Sequence, residues 1–271
     1  VDLRRLALNQ YTVKPWSLER AVAACVERDI PSIAVWRDKL AEIGTARAVK
    51  VLRNSGTRAS SVCRGGFFPD PSPVERARRI DDTRRAIEEA AALGAPTLVL
   101  VCGPAAGQSL ADARAQIADG IAACAADAQR AGVRLGIEPL HPMMIAERSV
   151  VATLDEANDI VAAIGSPAVG VVVDVYHVFW DARVGAGIAR AGKTIAGFHL
   201  SDWRTPAGGD VTAQRAMIGD GCIELAALAA GVAAAGYTGD IEIEILNETA
   251  WAGDLDTWLA TAVSRYAAIP A

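Results

Sequence analysis

Eight short strand-like runs, several of them nearly continuously apolar, recur along this 271-residue chain, and each is followed by a longer stretch with helical spacing. The runs fall at residues 5–9, 32–36, 59–63, 97–102, 133–138, 169–174, 195–200 and 240–245. Strands of this kind belong to a parallel sheet that is covered on both faces. Between them, Leu18, Ala21, Val22, Cys25 and Val26 repeat at the helical interval. Leu255, Trp258, Leu259, Ala262, Val263 and Tyr266 do the same near the end. Thr153–Glu156 has the form of a capping box, and Ser109–Asp112 that of a weaker start signal. Gly132 and Gly236 stand where helices stop before strands. No Pro/Ser-rich linker interrupts the series. The expected fold is α/β, a single (β/α)8 TIM barrel over residues 1–271, the size of such a barrel being about 250 residues. The competitor, an open doubly wound sheet, usually carries a glycine-rich phosphate loop after its first strand. Here that loop is Asn9-Gln-Tyr-Thr-Val-Lys-Pro15, with no glycine.

Composition narrows the class of partner. Hydrophobic residues make up 52% of the chain, enough for a large core, so wholesale disorder is not expected. The net charge of −5 argues against nucleic acid as the main partner, because phosphate binding needs a basic surface. No run approaches the roughly 18 apolar residues of a membrane span. The first residues, Val1-Asp2-Leu3-Arg4-Arg5, lead into no long apolar segment, so no signal peptide is expected. Five cysteines, at 25, 63, 102, 124 and 222, form no CxxC pair. Cys25 and Cys124 read as small buried thiols in Ala-rich helices. The set suggests a reducing, cytoplasmic setting and no disulfide framework.

In a TIM barrel the chemistry gathers at the C-terminal ends of the strands. All three histidines of the chain stand there, at His141, His177 and His199, among carboxylates on successive strands. Glu138 ends the apolar run Leu135-Gly-Ile137, and Asp174 ends Gly170-Val-Val-Val173. Burying either is costly unless it is paired or binds a metal. Carboxylates with an imidazole make a mixed oxygen and nitrogen donor set. That set suits one divalent ion, Mn2+ first, then Co2+, Mg2+, Fe2+ or Zn2+. On the last strand Glu242 and Glu244 share one face. Glu244 is nearer the mouth and is the chosen ligand; Glu242 lies one layer deeper, in an interior ion pair with an Arg or Lys. In the first half of the chain, Trp36 and Phe67 are candidates to wall one side of a sugar. Arg37 and Arg64 could hold an anion or pair with Asp38 or Asp70, and pairing is the preferred reading. His141 and Asp202, also near strand ends, are further candidates for substrate contact.

These stretches resemble the sugar phosphate isomerase/epimerase family, the xylose isomerase-like TIM barrels. The likeness is carried by Ile137-Glu-Pro139, Val173-Asp-Val-Tyr-His177, Phe198-His-Leu-Ser-Asp202, Gly219-Asp-Gly-Cys-Ile-Glu224 and Gly236-Tyr-Thr-Gly-Asp-Ile-Glu-Ile-Glu244. Their order and spacing span nearly the whole chain. The family includes ketose 3-epimerases, hydroxypyruvate isomerase and inosose dehydratase or isomerase. The resemblance implies a metal held by Glu138, Asp174, His199 and Glu244. It implies that His177 contacts a substrate oxygen and that Arg204 resembles the arginine that grips substrate in ketose epimerases.

A Lewis acid beside a ketone stabilises the ene-diolate formed when the neighbouring carbon loses its proton. Glu138 and Glu244 are the expected general acid/base pair. Two glutamates working on opposite faces give epimerisation; one moving a proton between adjacent carbons gives isomerisation. Loss of a β-hydroxyl from the same species gives dehydration, so a lyase acting on an inosose or 3-keto-sugar is the alternative. A non-catalytic sugar-binding or accessory subunit is a further one. A metal-dependent AP endonuclease shares the broader fold, but its multi-metal site needs more histidines than three. The expected substrate is a small uncharged ketose or keto-polyol, since no phosphate cradle is visible. The reading has no nucleic acid or membrane partner and allows a homo-oligomer.

Overall fold

The computed structural model describes residues 2–205 and 214–270. The strands are β1 Leu6–Asn9, β2 Ser32–Trp36, β3 Arg58–Gly66, β4 Thr97–Val101, β5 Arg134–Ile137, β6 Val169–Asp174, β7 Ile195–Leu200 and β8 Ile241–Ile243. Each pairs in parallel with the next, and β8 pairs with β1 to close the barrel. Closure leaves no sheet edge. β3 runs three residues beyond the expected limit because the register shifts between Cys63 and Gly65, which carries the strand to Gly66. β8 is correspondingly short and ends at Ile243, before Glu244.

The helices are α1 Leu18–Glu27, α2 Arg37–Ile43, α3 Thr45–Ser55, α4 Pro73–Leu93, α5 Leu110–Ala131 and α6 Leu154–Ile164. They continue with α7 Val175–Val178, α8 Val184–Ala191, α9 Leu225–Ala234, α10 Glu248–Trp251 and α11 Leu255–Ala267. One helix per strand was expected, and the described residues hold more. Gly44, at φ 77°, splits the segment after β2 into α2 and α3, and α7 begins directly at the end of β6. The capping box at Thr153 and Glu156 forms, Ser109 caps α5, and Gly132 ends α5 in the left-handed region. No helix among the described residues is long and apolar enough to cross a membrane.

Apolar packing divides into two bodies. The larger lies between sheet and helices and takes the outward side chains of the strands, such as Leu6, Leu8, Leu98, Leu100, Ile137 and Phe198. The smaller, Trp36, Cys63, Val99 and Val172, fills the barrel interior with Tyr11 against it. Space inside is tight: a Cβ on Gly136 would stand 2.6 Å from Val172 Cγ2. Above this layer the inward residues turn polar, and this is where the site begins.

Candidate metal centre

Inward-facing positions at the ends of β5, β6, β7 and β8 are Glu138, Asp174, His199 and Glu244. Outward neighbours such as Ile137, Val173, Leu200 and Ile243 anchor each strand end in the outer core. The alternation of a strand therefore aims all four polar side chains at one point. All four are buried, and one ligand atom of each lies within 4.8 Å of the others.

Polar satisfaction at this point is incomplete. His199 Nδ1 stands 2.8 Å from Glu244 Oε2 and 3.2 Å from Glu138 Oε1. Despite these distances, none of the three atoms has a well-directed hydrogen bond. Buried polar atoms are rarely left in that condition. Three donor atoms converging without hydrogen-bond geometry suit a shared cation, and the mixed carboxylate and imidazole set suits a divalent one.

Charge balance points the same way. Burial alone would lower the His199 pKa, but the carboxylates of Glu242 and Glu244 outweigh it and hold the imidazole well above its usual range. In the metal-free chain these carboxylates thus favour the protonated imidazole. Burial raises the Glu138 pKa to about 7. For Glu244, burial pushes up, yet Arg215 and His199 win and keep the carboxylate below its usual range.

Glu242 supports the site from below. Ser60 and Ser61 donate to its Oε1 at 2.8 and 2.6 Å, and Asn9 Nδ2 donates to Oε2 at 3.2 Å. Its Oε2 also stands 3.3 Å from His199 Nε2. The expected Arg or Lys partner is absent among the described residues: hydroxyls, an amide and the imidazole take its place. A carboxylate behind a ligating histidine fixes the ring and raises its basicity. A cavity of about 530 Å³ opens at the N-terminal end of the barrel and reaches Glu242 and His199 from that side.

On the opposite side stands a residue that sequence reasoning missed. Arg215 is buried, and its Nη1 donates to Asp174 Oδ2 at 2.7 Å and to the Glu244 carbonyl at 3.1 Å. Its Nη2 lies 3.1 Å from His177 Nε2. Beyond residue 205 the chain returns to pair Ala216 with Asp202 and Gln214 with Asn247, which delivers Arg215 into the mouth. The one hint in the sequence was a charged residue directly before Ala216-Met-Ile218. Arg204, the arginine the sequence favoured, is exposed and lines a separate surface cavity with Gln214, Asn247 and Trp258.

His177 is buried, and its Nδ1 accepts the His141 backbone N–H at 3.2 Å. Burial drives its pKa down to about 3, so the ring is neutral. The His141 ring stacks on Trp203 at 4.8 Å, at the rim. Asp202 is spent on the loop: its carboxylate accepts the backbone N–H groups of Trp203, Gly219, Gly221 and Ile223. Trp36 stacks on Tyr11, ring centroids 3.4 Å apart, and donates Nε1–H to Asn9 Oδ1 at 2.8 Å. Arg37 pairs with Asp82 and Glu89, not with Asp38 or Asp70. Asp38 instead accepts the Tyr11 hydroxyl, and Asp70 pairs with Arg79.

Residues 20–262 match the model of the xylose isomerase-like TIM barrel family. The chain belongs to that family. Among solved structures, protein SMc04130 from Sinorhizobium meliloti 1021 is 42% identical over 99% of both chains, with a TM-score of 0.95. The IOLI protein, solved with a zinc atom, is 18% identical over 98% of this chain and 97% of its own, with a TM-score of 0.84. A D-psicose 3-epimerase solved with D-fructose is 18% identical over 97% of both chains, with a TM-score of 0.79. These last two likenesses are of fold. No curated protein matches the sequence. This member of the family has a buried Glu/Asp/His group able to hold a metal.

Proposed function

We propose that the protein is a metal-dependent isomerase or epimerase of a small ketose or keto-polyol. One observation carries the reading: Glu138, Asp174, His199 and Glu244 converge, with Glu138 Oε1, His199 Nδ1 and Glu244 Oε2 lacking directed hydrogen bonds. These four residues would hold one divalent ion, Mn2+ by preference. When bound, such an ion supplies Lewis-acid polarisation of a ketone and its neighbouring hydroxyl.

The chain's own residues then handle the proton. Glu138 and Glu244 reach the centre from strands on different sides, β5 and the end of β8. Either carboxylate can use its second oxygen to take a proton from carbon, and the other can return one. Return to the opposite face inverts the carbon, while return to the adjacent carbon moves the carbonyl. The neutral His177 ring is a hydrogen-bond partner for a substrate hydroxyl, its Nδ1 being held by the His141 amide. Arg215 fixes Asp174 and the Glu244 main chain, so it positions two members of the set at once. The Tyr11–Trp36 stack offers an apolar wall to sugar C–H groups. His141, at the rim, is the remaining candidate for substrate contact.

The test is solvent-deuterium exchange by the Mn2+-loaded protein over a panel of ketoses, inososes and 3-keto-sugars, free and in carboxylated or phosphorylated form. Carbon-bound deuterium should enter the substrate, together with an isomeric product of unchanged mass apart from the label. A product lighter by one water would replace this reading with that of a dehydratase. Stoichiometric metal with no exchange on any member of the panel would overturn both.

A further inference from the structure

Two guanidinium groups of the mouth form no ion pair among the described residues. Among the described residues, every buried or half-buried arginine has a hydrogen-bond or ion-pair partner except Arg64 and Arg148. Arg5, for example, donates to the Gly239 and Tyr237 carbonyls, Arg37 pairs with two carboxylates, and Arg114 pairs with Glu156. Arg64 Nη1 is buried and makes no hydrogen bond. The two exceptions are linked through the backbone: the Arg148 carbonyl accepts the Gly103 N–H, Gly103 packs against Phe67, and the Arg64 guanidinium lies over the Phe67 ring. The charge of Arg148 acts on Arg64, against that of Asp38. Two like charges held together without a counterion cost free energy, and a bound anion removes that cost.

Their setting is preformed. The Arg64 guanidinium lies over the Phe67 ring, its Cζ 4.3 Å from the centroid. Phe67 is held in the left-handed region at φ 57° by its N–H to Val101 O and by Arg79 on its carbonyl. A non-glycine residue kept there is a mark of ligand-binding turns when its surroundings over-determine it. Arg148 is tied to the end of β4, its carbonyl accepting Gly103 N–H at 2.9 Å. Arg64 lines a cleft of about 460 Å³ with Tyr11, Trp36, Cys63 and Phe67, and with Asp38 and Asp82 also on its wall; Arg148 stands outside that lining. The nearby acid Asp38 is engaged by the Tyr11 hydroxyl at 2.7 Å and makes no ion pair with Arg64. Cys63, on the wall of the cleft, also packs into the barrel interior with Val99 and Val172.

We propose that Arg64 and Arg148 form an anion subsite of the mouth, which receives a carboxylate or phosphate group carried by the keto-polyol. The substrate is then acidic, contrary to the expectation from the missing glycine-rich cradle. Guanidinium forks recognise carboxylate and phosphate without such a cradle. This rests on the mouth being a keto-polyol site, but its test does not need turnover.

Inorganic phosphate and glycolate are titrated by calorimetry into the full chain, both loaded with Mn2+ and stripped by chelator. Saturable binding of at least one probe is expected in both forms. Arg64→Gln and Arg148→Gln should each weaken it about tenfold or more, the scale of a lost charge-assisted contact. Arg64→Lys, which keeps the charge but not the fork, should weaken it less. Mn2+ stoichiometry and melting temperature report whether each variant is folded. No saturable binding to the parent chain, or equal binding in the folded Arg64→Gln/Arg148→Gln protein, overturns the subsite. The stronger probe indicates which anion the substrate carries. Loss of deuterium exchange with anion binding intact would count against the isomerase reading alone.

Discussion

The two halves of the barrel mouth are built from different materials. β5 to β8 end in Glu138, Asp174, His199 and Glu244, with Arg215 and His177 braced against them. β1 to β3 end in Asn9, Trp36 and the Cys63-Arg64 step, and offer a stacked ring pair and an unneutralised guanidinium. In the second half the polar groups crowd one another, and Glu138 Oε1, His199 Nδ1 and Glu244 Oε2 converge without directed hydrogen bonds. In the first half the groups nearest the cleft are rings and cations with room beside them. Groups that share an ion must be placed to within fractions of an ångström, which strand ends and mutual hydrogen bonds provide. Groups that recognise a substrate need only a shaped surface. On the proposed function, chemistry belongs to the second half and selection to the first, and each assignment can be broken separately.

The largest effects belong to the second half. Asp174→Asn with His199→Gln should abolish stoichiometric Mn2+ binding, measured by metal analysis after dialysis. Glu138→Gln and Glu244→Gln should each cost about 10²-fold or more in turnover, the scale of a missing general base. That loss should exceed any loss of metal. Normal exchange in both variants with metal bound would move the base to His177 and dissolve the assignment.

Next comes the brace. Arg215→Met leaves Asp174 buried without its cation, a change that costs about 3–5 kcal/mol in comparable buried pairs. The fall in melting temperature should be larger in the metal-free chain, because a bound divalent ion can partly replace the guanidinium. An equal fall in both forms would separate Arg215 from the centre.

Proton linkage sharpens the same half. The His199 pKa is raised in the folded metal-free chain, so its stabilising contribution is present below the unfolded value near 6.5 and is lost as pH rises through the higher folded value. The Glu244 pKa is lowered, so its contribution is present above its ordinary range and lost as pH falls. Ligation through His199 requires Nδ1 without a proton. Because Glu138, with a pKa of about 7, must also lose its proton, metal binding near pH 7 should release between one and two protons, and affinity should rise by about tenfold or more per pH unit. Calorimetry in buffers of different ionisation enthalpy would measure this, and proton-independent affinity would remove His199 from the ligand set.

Effects in the first half should be smaller. Trp36→Phe loses the Nε1–H bond to Asn9, about 1 kcal/mol, and alters the stack on Tyr11. It should raise KM while leaving kcat and Mn2+ stoichiometry nearly unchanged. A fall in kcat equal to that in kcat/KM would draw this half into the chemistry. Smallest of all is thiol reactivity. Cys222 is exposed, whereas burial raises the pKa of Cys25 and Cys102 to about 12 and pushes Cys63 well above its usual range. A thiol reagent at pH 7.5 should modify Cys222 first, by mass spectrometry. Rapid modification of Cys63 would mean that the mouth is more open than a preformed recognition wall allows.

Much of this was legible in the chain. Strands buried on both faces must be apolar throughout, so six of the eight were located to within about a residue at each end. The two that differed, β3 and β8, depend on a register shift and on where pairing stops, which are properties of the neighbouring strand. The polar residues that end apolar runs were legible as well, because burying Glu138 or Asp174 demands a partner. What partner each charged side chain takes was not. Arg37 chose Asp82 and Glu89 on α4 over Asp38 beside it, and Arg64 took neither Asp38 nor Asp70.

The sequence by itself therefore determined the periodicities, and with them the barrel and the four inward groups at its second-half strand ends. Periodicity is local, set by the geometry of each element and by which of its faces must leave water. Only the tertiary structure decided that Arg215 braces Asp174 while Arg204 stands exposed, that Glu242 is held by Ser60, Ser61 and Asn9, and that neither Arg64 nor Arg148 finds an ion pair among the described residues. Those outcomes depend on how loops far apart in the chain return to the same few ångströms. Charge pairing is settled by distance and burial at that meeting point, which no local pattern records.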